Sequence, residues 1–160
     1  MKITELFERG EFVVSAEVGP PKGFHVEHML EDAKKYLSGV TAVNVTDNQS
    51  SVMRLGSLAV SKALLDQGMT PIYQLTCRDR NRIALQSDLL SAAMFGIENL
   101  LLLTGDHTKL GDHPQAKPVF DLDSVSLIHA VKQLESGRDL GGNELVGEPP
   151  KFAKGAVVSP

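Results

Sequence analysis

A run of leucines, Leu100 to Leu103, stops at Thr104-Gly105-Asp106-His107, and a second Asp-His pair follows at Asp112-His113. Two carboxylates and two imidazoles this close together could supply four ligands to a cation, because zinc takes imidazole nitrogen and hard cations take carboxylate oxygen. Lys109, Gly111 and Pro114 describe instead a flexible, exposed loop, a poor preorganised cage. On this second reading Asp112 and His113 belong to a mobile cover, and only Asp106, which ends the apolar run, does chemistry. No metal is expected.

Other polar groups share the position of Asp106. Ser15 and Glu17, then Asn44, Thr46 and Asp47, then Gln74, Thr76 and Cys77, and finally Thr104, Gly105 and Asp106 all sit at the C-terminal ends of short apolar runs. A single acid there is commonly a turn residue or a helix cap. Four successive runs ending this way describe one rim, since in parallel α/β folds and βα barrels these ends open onto a common ligand-binding face. Glu17 lies within an apolar run followed by Val18-Gly19-Pro20-Pro21, so it is expected to face an interior. A desolvated carboxyl holds its proton more tightly, as a general acid near neutral pH must. The alternative for Glu17 is a structural carboxylate paired with a Lys or Arg. Cys77 has Arg78 beside it but no identifiable His partner, and reads as a half-buried structural thiol rather than a nucleophile. The dinucleotide pattern GxGxxG, the P-loop and the GxSxG elbow do not occur.

The elements that must position these residues follow from periodicity. FVVSAEV (12–18), AVNVTD (42–47), PIYQLTC (71–77), NLLLLTGD (99–106) and GAVVSP (155–160) are apolar and too short for ordinary helices. Near-continuous apolarity suggests strands buried on both faces, the habit of parallel sheets. Between them, Val26, Met29, Leu30, Ala33 and Leu37 fall at helical spacing, as do Leu55 to Leu64, Ile83 to Met94 and Val125 to Leu134. Gly39, Gly68, Gly96 and Gly137 serve as stops, and Asp123 or Ser124 as a cap. The order is β-α-β-α-β-α-β-α-β, with the first four strands recurring about every 29 residues. Two loops break the rhythm, 105–122 and 137–152.

Composition bounds the function. The 160 residues suit one domain, and hydrophobic and charged shares of 42% and 22% are those of a globular protein. A net charge of −4 argues against a nucleic-acid partner or an anionic membrane surface. No apolar run is long enough for a membrane span, and MKITELFERGEF has no apolar signal core and reads as mature sequence. A single cysteine fits a reducing, cytoplasmic setting.

AEVGPPKG, NVTDNQS, YQLTCRDRN, LLLTGDH with the KPVFDLDSVSLI that follows, and the terminal GAVVSP together resemble the methylenetetrahydrofolate reductases, most closely a prokaryotic branch from anaerobes. Each motif is short, but five occur in the right order and spacing along nearly the whole chain. The resemblance implies a flavin-bearing (βα)8 barrel of the TIM type. Such an enzyme passes hydride from NAD(P)H, through FAD, to 5,10-methylenetetrahydrofolate, giving 5-methyltetrahydrofolate. By position, Glu17 matches the family's general acid, which protonates N10 and opens the imidazolidine ring. Asp106 matches the aspartate near the flavin pyrimidine edge and the pterin. Thr46 matches a flavin threonine, with Asp47, Gln74, Thr76, Thr104 and Gly105 along the same wall.

Three positions depart from the family pattern. Gln74 takes the place of a histidine common before LTC, Thr104 stands where arginine is frequent, and Asp47-Asn48 replaces a tyrosine-containing turn. These departures leave FMN as an alternative to FAD, and another electron donor as an alternative to NAD(P)H. A complete barrel takes about 250 residues, so the chain is expected to be the N-terminal portion of one, about five strands. The remaining strands would come from a longer chain, or from a partner subunit or homo-oligomer. Alternative functions are another pterin-binding βα-barrel enzyme, or a non-catalytic truncated-barrel subunit of a partner reductase.

Overall fold

The computed structural model describes residues 1–158. Five strands, β1 (Ser15–Val18), β2 (Ala42–Val45), β3 (Pro71–Thr76), β4 (Asn99–Leu103) and β5 (Ala153–Gly155), form one sheet in the sequential order β1-β2-β3-β4-β5. Every neighbouring pair is parallel. The helices are α1 (Ile3–Glu8), α2 (Glu27–Tyr36), α3 (Ser57–Asp66), α4 (Arg82–Met94) and α5 (Ser124–Glu135).

Strand order decides the architecture. A doubly wound sheet reverses its order partway and puts helices on both faces. Here the order never reverses, so crossovers of one hand stack α2 to α5 on a single face. Packing agrees. Val43 and Val45 meet Ala33, Val60 and Leu64 in one cluster. Tyr73, Leu75, Leu100 and Leu102 meet Leu85, Leu89, Leu127 and Val131 in a second. The other sheet face carries Glu17 beside Asn44, Asn44 beside Ile72, Gln74 beside Leu101 and Thr76 beside Leu103. A five-stranded parallel sheet with its helices outside and a mixed polar face inside is the first half of a TIM barrel.

The strands meet the expectation of two-sided burial only in the centre. All six residues of β3 are buried, whereas β1 alternates exposed and intermediate positions. β1 begins at Ser15, three residues later than expected. Phe12 is 91% exposed, and pairing starts at Ser15 with Ala42. β5 also shifts. Ala153 to Gly155 pair with Asn99 to Leu101, and Phe152 and Ala153 are buried while Val157 and Val158 are exposed. The expected strand at 155–160 therefore begins two residues earlier and ends at Gly155, and its last two positions lie outside the described residues.

Helix spans agree closely with the periodicity, and Asp123 caps α5 by accepting from the Ser126 amide. α1 was not anticipated. This six-residue helix lies beneath the strand starts, where Ile3 N donates to Asn99 Oδ1 and Asn99 Nδ2 donates to Met1 O. Leu6 supplies its buried contact. No helix among the described residues is long and apolar enough to cross a membrane.

Candidate active site

The C-terminal ends of β1 to β4 surround a cavity of about 310 Å³ lined by Glu17, Thr46, Asp47, Gln74, Thr76, Thr104, Gly105 and Asp106. Eight of the eleven rim residues read from the sequence thus line one space, and Ser15, Asn44 and Cys77 do not. The reason is local: each lies on the inner sheet face or in the first turn beyond a strand. Asn48, Gln49, Ser50, Arg78 and Leu103 complete the wall.

These residues differ in how free their polar atoms are. Asp47 is fully committed. Its Oδ2 accepts from Thr76 N at 2.9 Å, Thr76 Oγ1 at 2.9 Å and Arg80 Nη1 at 2.7 Å, and Oδ1 accepts from Arg80 Nη2 at 3.2 Å. Its side chain is 0% exposed. Arg80 also pairs with Asp88 at 2.9 Å. Burial opposes the Arg80 charge, but Asp47 outweighs it and raises the guanidinium above its ordinary range. Thr104 Oγ1 accepts from Ser124 N, fastening the β4 end to α5, and Gln74 Nε2 reaches Asn44 Oδ1 at 3.4 Å.

Glu17 and Asp106 are exposed, and neither carboxylate enters an ion pair among the described residues. The interior burial expected for Glu17 is not found. β1 is a sheet edge with no strand beyond it among the described residues. Its side chain nonetheless points along the inner face toward the cavity. Thr46 is the converse case. It is 2% exposed, yet its Oγ1 has no hydrogen-bond partner among the described residues. A buried hydroxyl left this way carries a desolvation cost of about 1–3 kcal/mol until something bonds to it.

Backbone strain gathers at the same rim. Asn48, Ser50 and Ser51 have φ of 46°, 56° and 58°, in the left-handed region. Non-glycine residues there cost on the order of 1–3 kcal/mol each unless their surroundings hold them. Three contacts hold this turn: Asn48 Oδ1 accepts from Arg54 N, Asn48 O accepts from Arg78 Nη2, and Gly111 packs so closely that a Cβ would lie 1.7 Å from Ser51 O. Gly105, at φ +94°, is constrained less severely, since a Cβ would meet Thr76 and Arg78 at 3.1 and 3.2 Å.

The second Asp-His pair is anchored rather than mobile. Asp112 accepts from Lys22 Nζ and Met53 N and contacts His113 Nδ1 at 2.8 Å. These bonds, Lys22 first, hold its carboxyl well below the usual carboxylate range. The 105–122 loop is thereby stitched across the loops after β1 and β2, correcting the expectation of a mobile cover. Among the described residues no three His, Cys, Asp or Glu side chains are placed to share a metal ion. Cys77 is completely buried, not half-buried, and burial pushes its thiol from 9.0 up to about 11.

Arg78 and Arg80 were missed as site-building residues. The signal available was their alternation in Cys77-Arg78-Asp79-Arg80, which beside a strand end places two guanidinium groups among rim carboxylates.

A half-barrel whose strand ends converge on exposed carboxylates, a buried unpartnered hydroxyl and a strained turn has the layout of a βα-barrel enzyme site. The family model for methylenetetrahydrofolate reductase matches residues 2–142. The chain belongs to the methylenetetrahydrofolate reductase family, a family of oxidoreductases. No curated protein matches the chain.

Proposed function

We propose that this protein carries the folate-reducing site of a flavin-dependent methylenetetrahydrofolate reductase. It would convert 5,10-methylenetetrahydrofolate to 5-methyltetrahydrofolate with electrons from NAD(P)H or another donor. Its sheet would be the N-terminal portion of the barrel, with further strands adding at the open β1 and β5 edges. The observation that carries the reading is the pair of exposed, ion-pair-free carboxylates, Glu17 and Asp106, on one cavity with the unpartnered Thr46 hydroxyl.

These residues fit a flavin. Thr46 Oγ1 lacks the bond that a ring carbonyl or ring N–H would give it. Thr46, Gln74, Thr76, Thr104 and Gly105 would hold the ring edge; Asp47, engaged by Arg80 and Thr76, would shape the wall behind it. FAD is the expected form, with FMN the alternative. When bound, the flavin supplies two-electron transfer between donor and folate.

The chain's own residues would do the rest. Glu17, desolvated once a further strand covers the β1 edge, would deliver a proton to N10 of the substrate and open the five-membered ring, leaving a cationic carbon–nitrogen double bond at N5. Asp106, across the cavity, would stabilise that positive charge and orient the pterin.

The test uses the longest native form of the protein. It should purify with a bound flavin, and Glu17→Gln should slow the folate half-reaction by about 10²–10⁴-fold while the donor half-reaction stays within about twofold. A colourless protein that takes up neither FAD nor FMN, or equal loss of both half-reactions, would defeat the reading.

A further inference from the structure

Arg78 is only 2% exposed, and the family chemistry above gives it no role. It follows Cys77 in the first turn beyond β3 and turns its guanidinium sideways among three loops. Nε and Nη2 grip Asp79 Oδ1 and Oδ2 at 2.9 and 2.7 Å, a bidentate pair. Nη2 also donates to Asn48 O and Nη1 to Asp106 O, both at 3.3 Å. The first carbonyl belongs to the strained turn after β2, and the second to a rim carboxylate after β4. The Arg78 backbone adds another tie, its carbonyl accepting from Val119 N at 2.7 Å. One side chain therefore joins the loops after β2, β3 and β4.

The partners indicate what kind of work this is. Asp79 neutralises the guanidinium, so little net charge is left to act on a ligand. What remains is geometry: a planar fork whose N–H directions are fixed. Burial pushes the Asp79 carboxyl up, and the hydrogen bonds and charge of Arg78 outweigh it, holding that carboxyl below its usual range. Asp106 itself has no side-chain hydrogen bond among the described residues, so its direction depends on its backbone. That backbone is held by Arg78 on one side and by the crowded Gly105 on the other.

We propose that Arg78 is a positioning residue, fixing Asp106 and the Asn48 turn in the geometry that folate reduction requires. This rests on the reading of Asp106 given above. Lysine keeps the charge but cannot make the fork, so Arg78→Lys should behave as a loss. A misplacement near 1 Å at a reacting centre costs about 100-fold. Arg78→Lys should therefore lower kcat for the folate half-reaction about 10- to 100-fold, with KM for the donor and the donor half-reaction within about threefold.

A second measurement is independent of activity. Hydrogen exchange in peptides spanning 46–53 and 103–108 should quicken together about tenfold in Arg78→Lys, while peptides in α2 and α5 stay unchanged. If Arg78→Lys does not fold, Asp79→Asn, which loosens the fork without removing it, should give the same pattern at smaller amplitude. Unchanged exchange in both loops, or a uniform rise along the chain, overturns the proposal whatever the enzyme does. A wild-type protein without folate activity would instead defeat the functional reading, and the exchange pattern would then decide the positioning role alone. Retained kcat despite loosened loops also overturns it.

Discussion

Asp47 and Asp106 lie beyond β2 and β4 on the same cavity, yet one is locked and the other is open. Asp47 is sealed by four donors from Arg80 and Thr76, with no exposed side-chain surface. Asp106 stands exposed with an ungripped carboxylate, as does Glu17 across the sheet. The difference lies in the neighbours. Arg80 leans onto the β2 end, while Arg78 reaches the β4 end but takes the Asp106 carbonyl and leaves its side chain alone. Carboxylates at one rim thus divide into those that hold the barrel mouth together and those left for a ligand.

Asp47→Ala should have the largest effect. Removing Asp47 strips Arg80 of its buried partner and leaves it only Asp88, with an expected loss of up to about 3–5 kcal/mol in chemical denaturation. A loss under about 1 kcal/mol would show that Asp47 is not the lock. Next comes Gly111→Ala. Its Cβ would collide with Ser51 O, and overpacking of this kind costs about 1–3 kcal/mol. Melting should fall, and proteolysis within 105–122 should quicken as the loop lifts.

The locked side also buries protons. Burial raises the Tyr73 phenol well above its usual range and Cys77 to about 11. Both groups lose their protons more readily when unfolded. The stability they contribute is complete below their unfolded values and drains away as pH rises toward the folded ones. Melting temperature should therefore drop between about pH 9 and 11, by roughly 5 °C. Cys77→Ala should melt lower at neutral pH but show a shallower alkaline slope. A flat profile to pH 11 would contradict the burial argument. Smallest of all, Glu17→Gln and Asp106→Asn should each alter stability by less than about 0.5 kcal/mol, as exposed substitutions do. A larger loss from either would place it with Asp47.

Much of this division was hidden in the sequence for physical reasons. Apolar runs and helical spacing located β2, β3, β4 and α2 to α5 because those elements bury whole faces against one another, and burial is what periodicity reports. The sheet edges were less legible. Phe12 and Val14 are apolar but exposed, so the β1 pattern ran past its pairing. β5 is defined by its register with β4 rather than by its valines. α1 is too short to show a period. The rim was legible as residue types at strand ends, and eight of its eleven residues line one cavity, all but Ser15, Asn44 and Cys77. Which of them is spoken for was not, because Arg80 meets Asp47 across 33 residues and Lys22 meets Asp112 across 90. No local pattern encodes such pairings.

The hydrogen bonds beneath the sheet bear on how the chain folds. Ile3 and Met1 reach Asn99 across 96 and 98 residues. A contact that distant closes a very large loop, and its entropy is recovered only after the strands between are in place. The first helix of the sequence should accordingly be among the last to dock. In refolding experiments, protection at residues 3–8 should lag behind that of β3 and β4. The N-terminal turn would then act as a closing clasp, reporting that the sheet above it is finished.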